Sequence, residues 1–308
     1  MRIASIDLGS NSLSLLIAEI INNKITPLFE TTYFIRLAQD LEKNNFLHEA
    51  AKQRCFNSFD EIIKLIKKYN VTLYLGVGTA ALRNSSDGEE FAKQIFKKYQ
   101  IPLEIISGNK EAKLTFIASC NEFQKYNKNI IMIDIGGAST EIVSGNLNKI
   151  NSMISLNIGT VSLSEKFLKN DPPKKAEIHQ IKLEIKNLLK VKKIKHNNKI
   201  KSSIGIGVAG TVTTLKSIDL NIKKYNSKLI HKSSLKLINI SKIKKLLCGK
   251  SIQERIELNG VTKKRADIIP AGSIILKLIM ENLNLNSIYV NDRGLRWGLV
   301  YNYLNKNN

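Results

Sequence analysis

Residues 130–145 read Ile-Ile-Met-Ile-Asp-Ile-Gly-Gly-Ala-Ser-Thr-Glu-Ile-Val-Ser-Gly, and the reading of the fold turns on this stretch. Ile130 to Ile133 is apolar and mostly β-branched, which suits a strand covered on both faces. Asp134 stands at its end, where the backbone must turn. Gly136 and Gly137 carry no Cβ, so the turn can be sharp and a ligand can approach the main chain closely. Ser139 and Thr140 add hydroxyls, and Glu141 adds a second carboxylate. Two carboxylates beside exposed turn N–H groups can hold a hydrated Mg²⁺ and a phosphate together. Taken alone, the segment fits an ordinary glycine β-turn with a solvated aspartate equally well.

A second segment breaks that tie. Residues 2–12, Arg-Ile-Ala-Ser-Ile-Asp-Leu-Gly-Ser-Asn-Ser, again carry an apolar strand into Asp-x-Gly. Ser10 and Asn11 follow, and Leu13, Leu15 and Ile17 alternate as in a returning strand. Asp7 and Asp134 lie about 127 residues apart, which suggests two related halves serving one site.

Composition narrows the alternatives. The chain has 308 residues, enough for two domains with sizeable cores, and its 43% hydrophobic and 24% charged content is that of a globular protein. The net charge of +22 points to a polyanionic partner. Much of the excess is Lys in a chain also crowded with Ile and Asn, the usage an AT-rich coding sequence produces, so part of it carries no functional meaning. Cys55, Cys120 and Cys248 are far apart and form no CxxC pair, which reads as reduced, packed thiols of a cytoplasmic protein. His48, His179, His196 and His231 match no HExxH pattern. No apolar run reaches 18 residues, and Asp7 interrupts the apolar start, so neither a membrane span nor a secretory signal is expected.

Along the chain, three strands are expected at Arg2–Asp7, Ser12–Ile20 and Ile25–Tyr33, with a turn at Asn22-Asn23. Phe56, Phe59, Ile62, Ile63 and Ile66 recur at helical spacing within 49–69. A buried strand at 71–77 runs into Gly78-Thr79-Ala80-Ala81-Leu82-Arg83, read as a small-residue turn; an arginine there can fork onto a phosphate or simply cap a helix at the surface. Helix 88–99 and strand 103–106 follow. Asn109 then reads as the N-cap of a helix, putting Glu111 in its first turn, either as a favourable partner of the helix dipole or as a carboxylate able to orient or deprotonate water. Later come a strand at 154–156, the breaker Pro172-Pro173 and a helix at 174–189. Gly205, Gly207 and Gly210 formally match GxGxxG, yet no acid lies near position 230 to hold a ribose, so a dinucleotide fold is rejected. The better reading is a strand and glycine-rich turn entering a helix at Thr211, whose N-terminus can accept phosphate. No GxxxxGK[ST] occurs. An apolar helix at 268–282, a strand at 287–290 and a last helix at 297–304 complete the chain. Lys-rich tracts at 186–201 and 222–250 read as solvated surface or as docking ground for a polyanion.

Eight segments, in order from end to end, give the chain a resemblance to the exopolyphosphatase / guanosine pentaphosphate phosphatase (Ppx/GppA) family. They are DLGSNS at 7–12, GTAALR at 78–83, SGNKEAKL at 107–114, DIGGASTE at 134–141, LNIGTVSLSEKF at 156–167, GVAGTVTTL at 207–215, RADIIPAG at 265–272 and DRGLRWGLVY at 292–301. The resemblance implies an α/β fold of two actin-like (ribonuclease H-like, ASKHA) domains flanking a cleft. It places them at 1–120, with the helix 294–308 packing back, and at 121–293. It further implies Mg²⁺-dependent removal of a terminal phosphate. Carried over position by position, Glu111 matches the catalytic glutamate, and Asp134 and Glu141 match the metal-associated acids. Asp7, Ser10, Asn11, Arg83, Gly136, Gly137, Ser139, Gly207, Gly210 and Thr211 match phosphate-contacting positions.

The implied substrate is inorganic polyphosphate, which the basic charge favours. Guanosine pentaphosphate (pppGpp), or a sensor that binds without hydrolysis, is the alternative. Neither a specific nucleic acid nor a membrane is expected as partner, and a homodimer is the assembly carried forward. The chain departs from the family pattern at Ala138 and Ala209, where glycine is usual, and at Lys113 and Ser162, where arginine is common. Ending soon after the last helix, it resembles the short two-domain form.

Overall fold

The structure, a computed structural model, describes residues 1–126, 128–192 and 203–307. It divides into two compact units, Met1–Ala118 with Leu295–Asn308, and Ser119–Gly294.

In the first unit β1 (Arg2–Leu8), β2 (Ser12–Ile21) and β3 (Lys24–Phe34) form an antiparallel meander. Asn22 and Asn23 both take positive φ, the backbone a two-residue hairpin needs to match strand twist. β4 (Leu73–Gly78) and β5 (Glu104–Ile105) add parallel to β1, giving the order β3-β2-β1-β4-β5. Between them run α1 (Leu41–Asn44), α2 (Glu49–Lys68), α3 (Ala80–Asn84) and α4 (Gly88–Tyr99). Cys55, Phe59, Ile62 and Ile66 of α2 lie on one helical face and bury against Ile6, Leu8, Leu13 and Leu15 of the sheet. α5 (Gly108–Phe123) follows β5 and carries the chain through Ala118 into the second unit.

That unit opens with a second meander, β6 (Ile130–Ile135), β7 (Thr140–Gly145) and β8 (Ile150–Leu156). α6 (Thr160–Phe167) and α7 (Lys175–Val191) precede β9 (Ile204–Val208), which pairs parallel with β6. α8 (Ala209–Asp219), α9 (Ser227–Ile230), β10 (Ser234–Lys236), α10 (Leu237–Cys248), α11 (Ile252–Ile256) and α12 (Ile269–Asn282) lead to β11 (Ser287–Asn291), parallel to β9. The sheet order is β8-β7-β6-β9-β11-β10, so its first five strands repeat the first unit's pattern of a meander followed by two parallel neighbours. Ile181, Ile185 and Leu189 of α7, Ile240 and Ile243 of α10 and Ile274, Ile275 and Ile279 of α12 belong to one core with the sheet residues Ile131, Ile133 and Ile142. Lys242 and Lys245 of the second basic tract point outward from α10; the first tract is described only through Lys192, and its remainder lies outside the described residues.

The last helix, α13 (Leu295–Asn307), returns to the first unit and packs on β1 and β2. Trp297, Val300 and Leu304 bury against Ile3, Leu16 and Ala18. Gly298 permits this approach, because a Cβ there would lie 2.1 Å from the carbonyl oxygen of Leu114 on α5. All three cysteines are free and buried, and burial raises each thiol, Cys120 to about 12. Among the described residues no helix is long and apolar enough to cross a membrane.

Four local expectations are corrected. Ser107 caps α5 in place of Asn109: its hydroxyl accepts from Lys110 N–H at 3.2 Å and its carbonyl from Glu111 N–H at 2.9 Å. Glu111 remains in the first turn. Residues 80–84 form α3 where a turn was expected, since alanine and leucine favour helix once β4 ends. The 209–211 segment joins β9 directly to a helix that starts at Ala209, not Thr211. α6 was not anticipated, because eight residues with mixed polar and apolar positions leave little periodicity to read.

Candidate active site

Each unit carries some of the candidate residues, and in both they start from the same kind of turn. Gly9 N–H donates to Ser12 O at 2.9 Å, and Gly136 N–H donates to Ser139 O at 2.9 Å. Asp7 pairs in register with Ser14 and Val77; Asp134 pairs with Glu141 and Val208. The two turns are therefore equivalent in backbone and differ in chemistry. Where the first has a serine opposite its aspartate, the second has a glutamate.

In the first unit, Ser10 and Asn11 are buried in the turn, their carbonyls taking N–H groups of Ala38, Ile35 and Arg36. Asn11 Nδ2 is buried and meets no hydrogen-bond acceptor among the described residues. A buried amide donor without an acceptor costs free energy unless a ligand or water supplies one. Asp7 and Thr79 border the same turn: a Cβ on Gly9 would stand 3.8 Å from Asp7 Oδ1 and 3.9 Å from Thr79 Oγ1. Thr79, which precedes α3, was not singled out from the sequence. Arg83, in the last turn of α3, donates from Nη1 to Ile106 O at 2.7 Å and lies 3.5 Å from Glu111 Oε2. The helix and the strand end thus set a guanidinium beside a carboxylate, with both side chains largely shielded from solvent.

In the second unit, register pairing sends the Asp134 and Glu141 side chains to the same face of the sheet. Glu141 is buried, and its Oε1 accepts the Ser155 hydroxyl at 2.8 Å. Ser139 is buried in the turn between them. The carbonyls of Gly136 and Gly137 accept N–H groups of Thr160 (3.0 Å) and Val161 (2.8 Å). The first donors of α6 are consequently spent on the turn rather than offered to a ligand. Ser162, at the position where family members often carry arginine, accepts Gly159 N–H at 2.9 Å and so helps hold the same junction.

The expected phosphate positions on β9 and α8 also have structural roles. Gly207 lies inside β9, where a Cβ would meet Ile288 Cδ1 at 2.7 Å and Val212 Cγ1 at 2.8 Å; its missing side chain serves packing. The Thr211 hydroxyl donates to Ile135 O at 3.1 Å, tying α8 to the end of β6. Gly210 sits in the first turn of α8 against the guanidinium of Arg265, which occupies the place a Cβ would take. Burial lowers Arg265 to about 10, so it remains a cation at neutral pH. Nothing local in the sequence marks Arg265 apart from its neighbours; its packing against Gly210 is what places it at the head of α8.

Ala209 has φ +67, the left-handed region where an L side chain is strained. This is a position where the family usually has glycine. Ala209→Gly is expected to stabilise the second unit by about 1 kcal/mol, read as a rise of roughly 2–4 °C in its thermal midpoint. An unchanged or lower midpoint would mean the strain is relieved elsewhere.

Asp134 and Glu141 offer carboxylate oxygens, the ligands of a hard ion. Among the described residues no group of three or more His, Cys, Asp or Glu is placed to hold a metal. Two carboxylates without an all-protein cage suit Mg²⁺, which keeps several waters and binds through one or two carboxylates plus substrate phosphates. The residues fit the ion.

Two α/β sheets of repeated order, each led by an aspartate-ended strand and a glycine turn, define the actin-like class of fold. The chain belongs to the Ppx/GppA phosphatase family, whose model matches residues 16–307. It is 35% identical over 306 residues to a bifunctional 3-dehydroquinate synthase/phosphatase of Fusobacterium nucleatum, covering 96% of this chain and 46% of that one. It is 28% identical to a guanosine-5'-triphosphate,3'-diphosphate pyrophosphatase of Vibrio cholerae, covering 97% and 58%. The chain thus spans about half the length of the curated relatives it matches. Among solved structures, an exopolyphosphatase from Cytophaga hutchinsonii superposes with a TM-score of 0.91 at 25% identity, covering 99% of this chain and 98% of that one.

Proposed function

We propose that the chain is a cytoplasmic exopolyphosphatase that hydrolyses the terminal phosphate of inorganic polyphosphate with Mg²⁺. The observation that carries the reading is the Arg83–Glu111 pair at the start of α5. A guanidinium suits phosphate oxygens, and a carboxylate beside it suits a water. Phosphoryl transfer asks mainly for positioning and charge neutralisation. The orphan Asn11 amide and the turn N–H groups are donors for phosphate oxygens, and Arg265 at the head of α8 is a further cation for the chain. Asp134 and Glu141 would hold Mg²⁺, which neutralises phosphate charge when bound. Glu111 takes a proton as the water oxygen bonds to the terminal phosphorus. The bridging P–O bond breaks, and the shortened chain leaves with the electron pair. Family membership and the exopolyphosphatase relative support this reading, and three free cysteines support the cytoplasmic location.

A second reading, hydrolysis of pppGpp, is favoured by the Vibrio cholerae relative. Phosphate release from long-chain polyphosphate and from pppGpp, with Mg²⁺ and with EDTA, separates them. The expected result is Mg²⁺-dependent release with polyphosphate preferred. A preference for the nucleotide would promote the second reading, and release unaffected by EDTA would remove the metal from the proposal.

A further inference from the structure

In the second unit, apart from its candidate site residues, charged groups gather around a buried carboxylate where the chain enters that unit at Ser119 and leaves it at Gly294. Glu122, three residues past the entry, faces two cations and an imidazole: Arg293 Nη1 at 2.5 Å, Lys232 Nζ at 2.9 Å and His231 Nε2 at 3.1 Å. Its side chain is only 3% exposed. On the other side of the imidazole, Asp292 Oδ1 lies 3.0 Å from His231 Nδ1, off the line of a straight hydrogen bond. Asp292 Oδ2 accepts from the Tyr225 hydroxyl at 3.1 Å and from the Ser227 hydroxyl. Asn291 Nδ2 donates to Ser119 Oγ at 3.2 Å, joining the same two passages of chain. The Phe123 ring closes the cluster edge-on to the imidazole.

Both ring nitrogens of His231 therefore face carboxylate oxygens. A neutral imidazole has one N–H and one lone pair, so either tautomer would press a lone pair against an anion. Only the imidazolium presents N–H to both. Burial opposes its charge, but Asp292 and Glu122 outweigh burial and raise His231 above the ordinary histidine value. Burial would likewise raise Glu122 and Asp292, yet both are held low, Glu122 chiefly by His231 and Arg293 and Asp292 by His231 and Ser227.

We propose that His231 is a proton-operated clasp: as imidazolium it fastens the entering passage at residues 119–123 to the leaving passage at residues 291–293, and on losing its proton it lets them loosen. The inference is independent of the catalytic reading. Because the folded value lies above the unfolded one, the stabilisation is complete below about pH 6.5 and is lost as pH rises through the folded value.

The test is an NMR titration of the histidine ring protons, with His231→Gln identifying the resonance. Native-state hydrogen exchange of segments 119–123 and 289–293 from pH 6 to 9 accompanies it, corrected for intrinsic rates. The expected result is a His231 midpoint above the ordinary range. Protection of both segments should fall about tenfold for each unit by which that midpoint is raised, and in His231→Gln it should be low and flat. A His231 midpoint at or below the ordinary value would overturn the proposal, as would the same pH dependence of protection in the variant. Should His231→Gln not fold, Glu122→Gln removes one flanking charge and should lower the His231 midpoint; an unmoved midpoint there also refutes the clasp.

Discussion

Glu111→Ala is expected to lower kcat for phosphate release by about 10²–10⁴ while the protein stays folded. The side chain lies in the first turn of α5, where removing a carboxylate costs the helix about 0.3–1 kcal/mol. Arg83 keeps its anchor on Ile106 O, so the guanidinium has no cause to leave its place. The loss should therefore fall on turnover more than on KM, and circular dichroism and the thermal midpoint should change little. Glu111→Gln preserves shape and one hydrogen-bonding oxygen but is a far weaker base, so it should resemble alanine in rate. Near-normal turnover in both variants would sink the assignment of Glu111 as the group that activates water.

The second large effect falls on a residue that touches no proposed ligand. A Cβ on Gly159 would lie 2.3 Å from both the carbonyl carbon and oxygen of Gly137 and 2.5 Å from Ala138 N. These are backbone atoms of the β6–β7 turn, which cannot swing away as a side-chain tip can. Gly159 has φ −144, a backbone any residue adopts, so the objection to a side chain is space alone. Gly159→Ala must push the 136–139 turn off the first turn of α6, breaking the bonds from Thr160 and Val161. Overpacking of this kind costs about 1–3 kcal/mol, and each lost backbone bond adds about 1 kcal/mol. A variant destabilised by several kcal/mol, with phosphate release reduced even where it remains folded, is expected. Comparable additions at Gly9 or Gly136 meet their nearest atom at 3.2 and 3.1 Å and should be milder. Equal tolerance at all three positions would show that the turn is free to move.

That contrast marks what was legible in the sequence. Both Asp-x-Gly turns, the strands around them and the long helices could be read because each has a period or a breaker of its own. The glycines of the 136–137 turn drew attention for the same reason. Gly159 did not, because its constraint comes from a loop more than twenty residues away in sequence. The Arg83–Glu111 pair was invisible for a like reason: α3 and α5 bring together two side chains that the reading had placed separately. Gly207 is ambiguous in the opposite sense, since a glycine required by packing against Ile288 and Val212 looks in sequence like one required by a ligand. Ala209 was noted as a departure from the family, but only its backbone angle says why a glycine belongs there.

The cysteines have a use that has nothing to do with phosphate. Cys55 lies in the first unit, and Cys120 and Cys248 lie in the second. Each is buried, and each thiol is held protonated by burial, so an alkylating reagent finds almost no thiolate while the chain is folded. The protein thus carries native reporters of its own opening. Mass analysis after a labelling pulse would time the loss of each half separately, with no dye or mutation introduced.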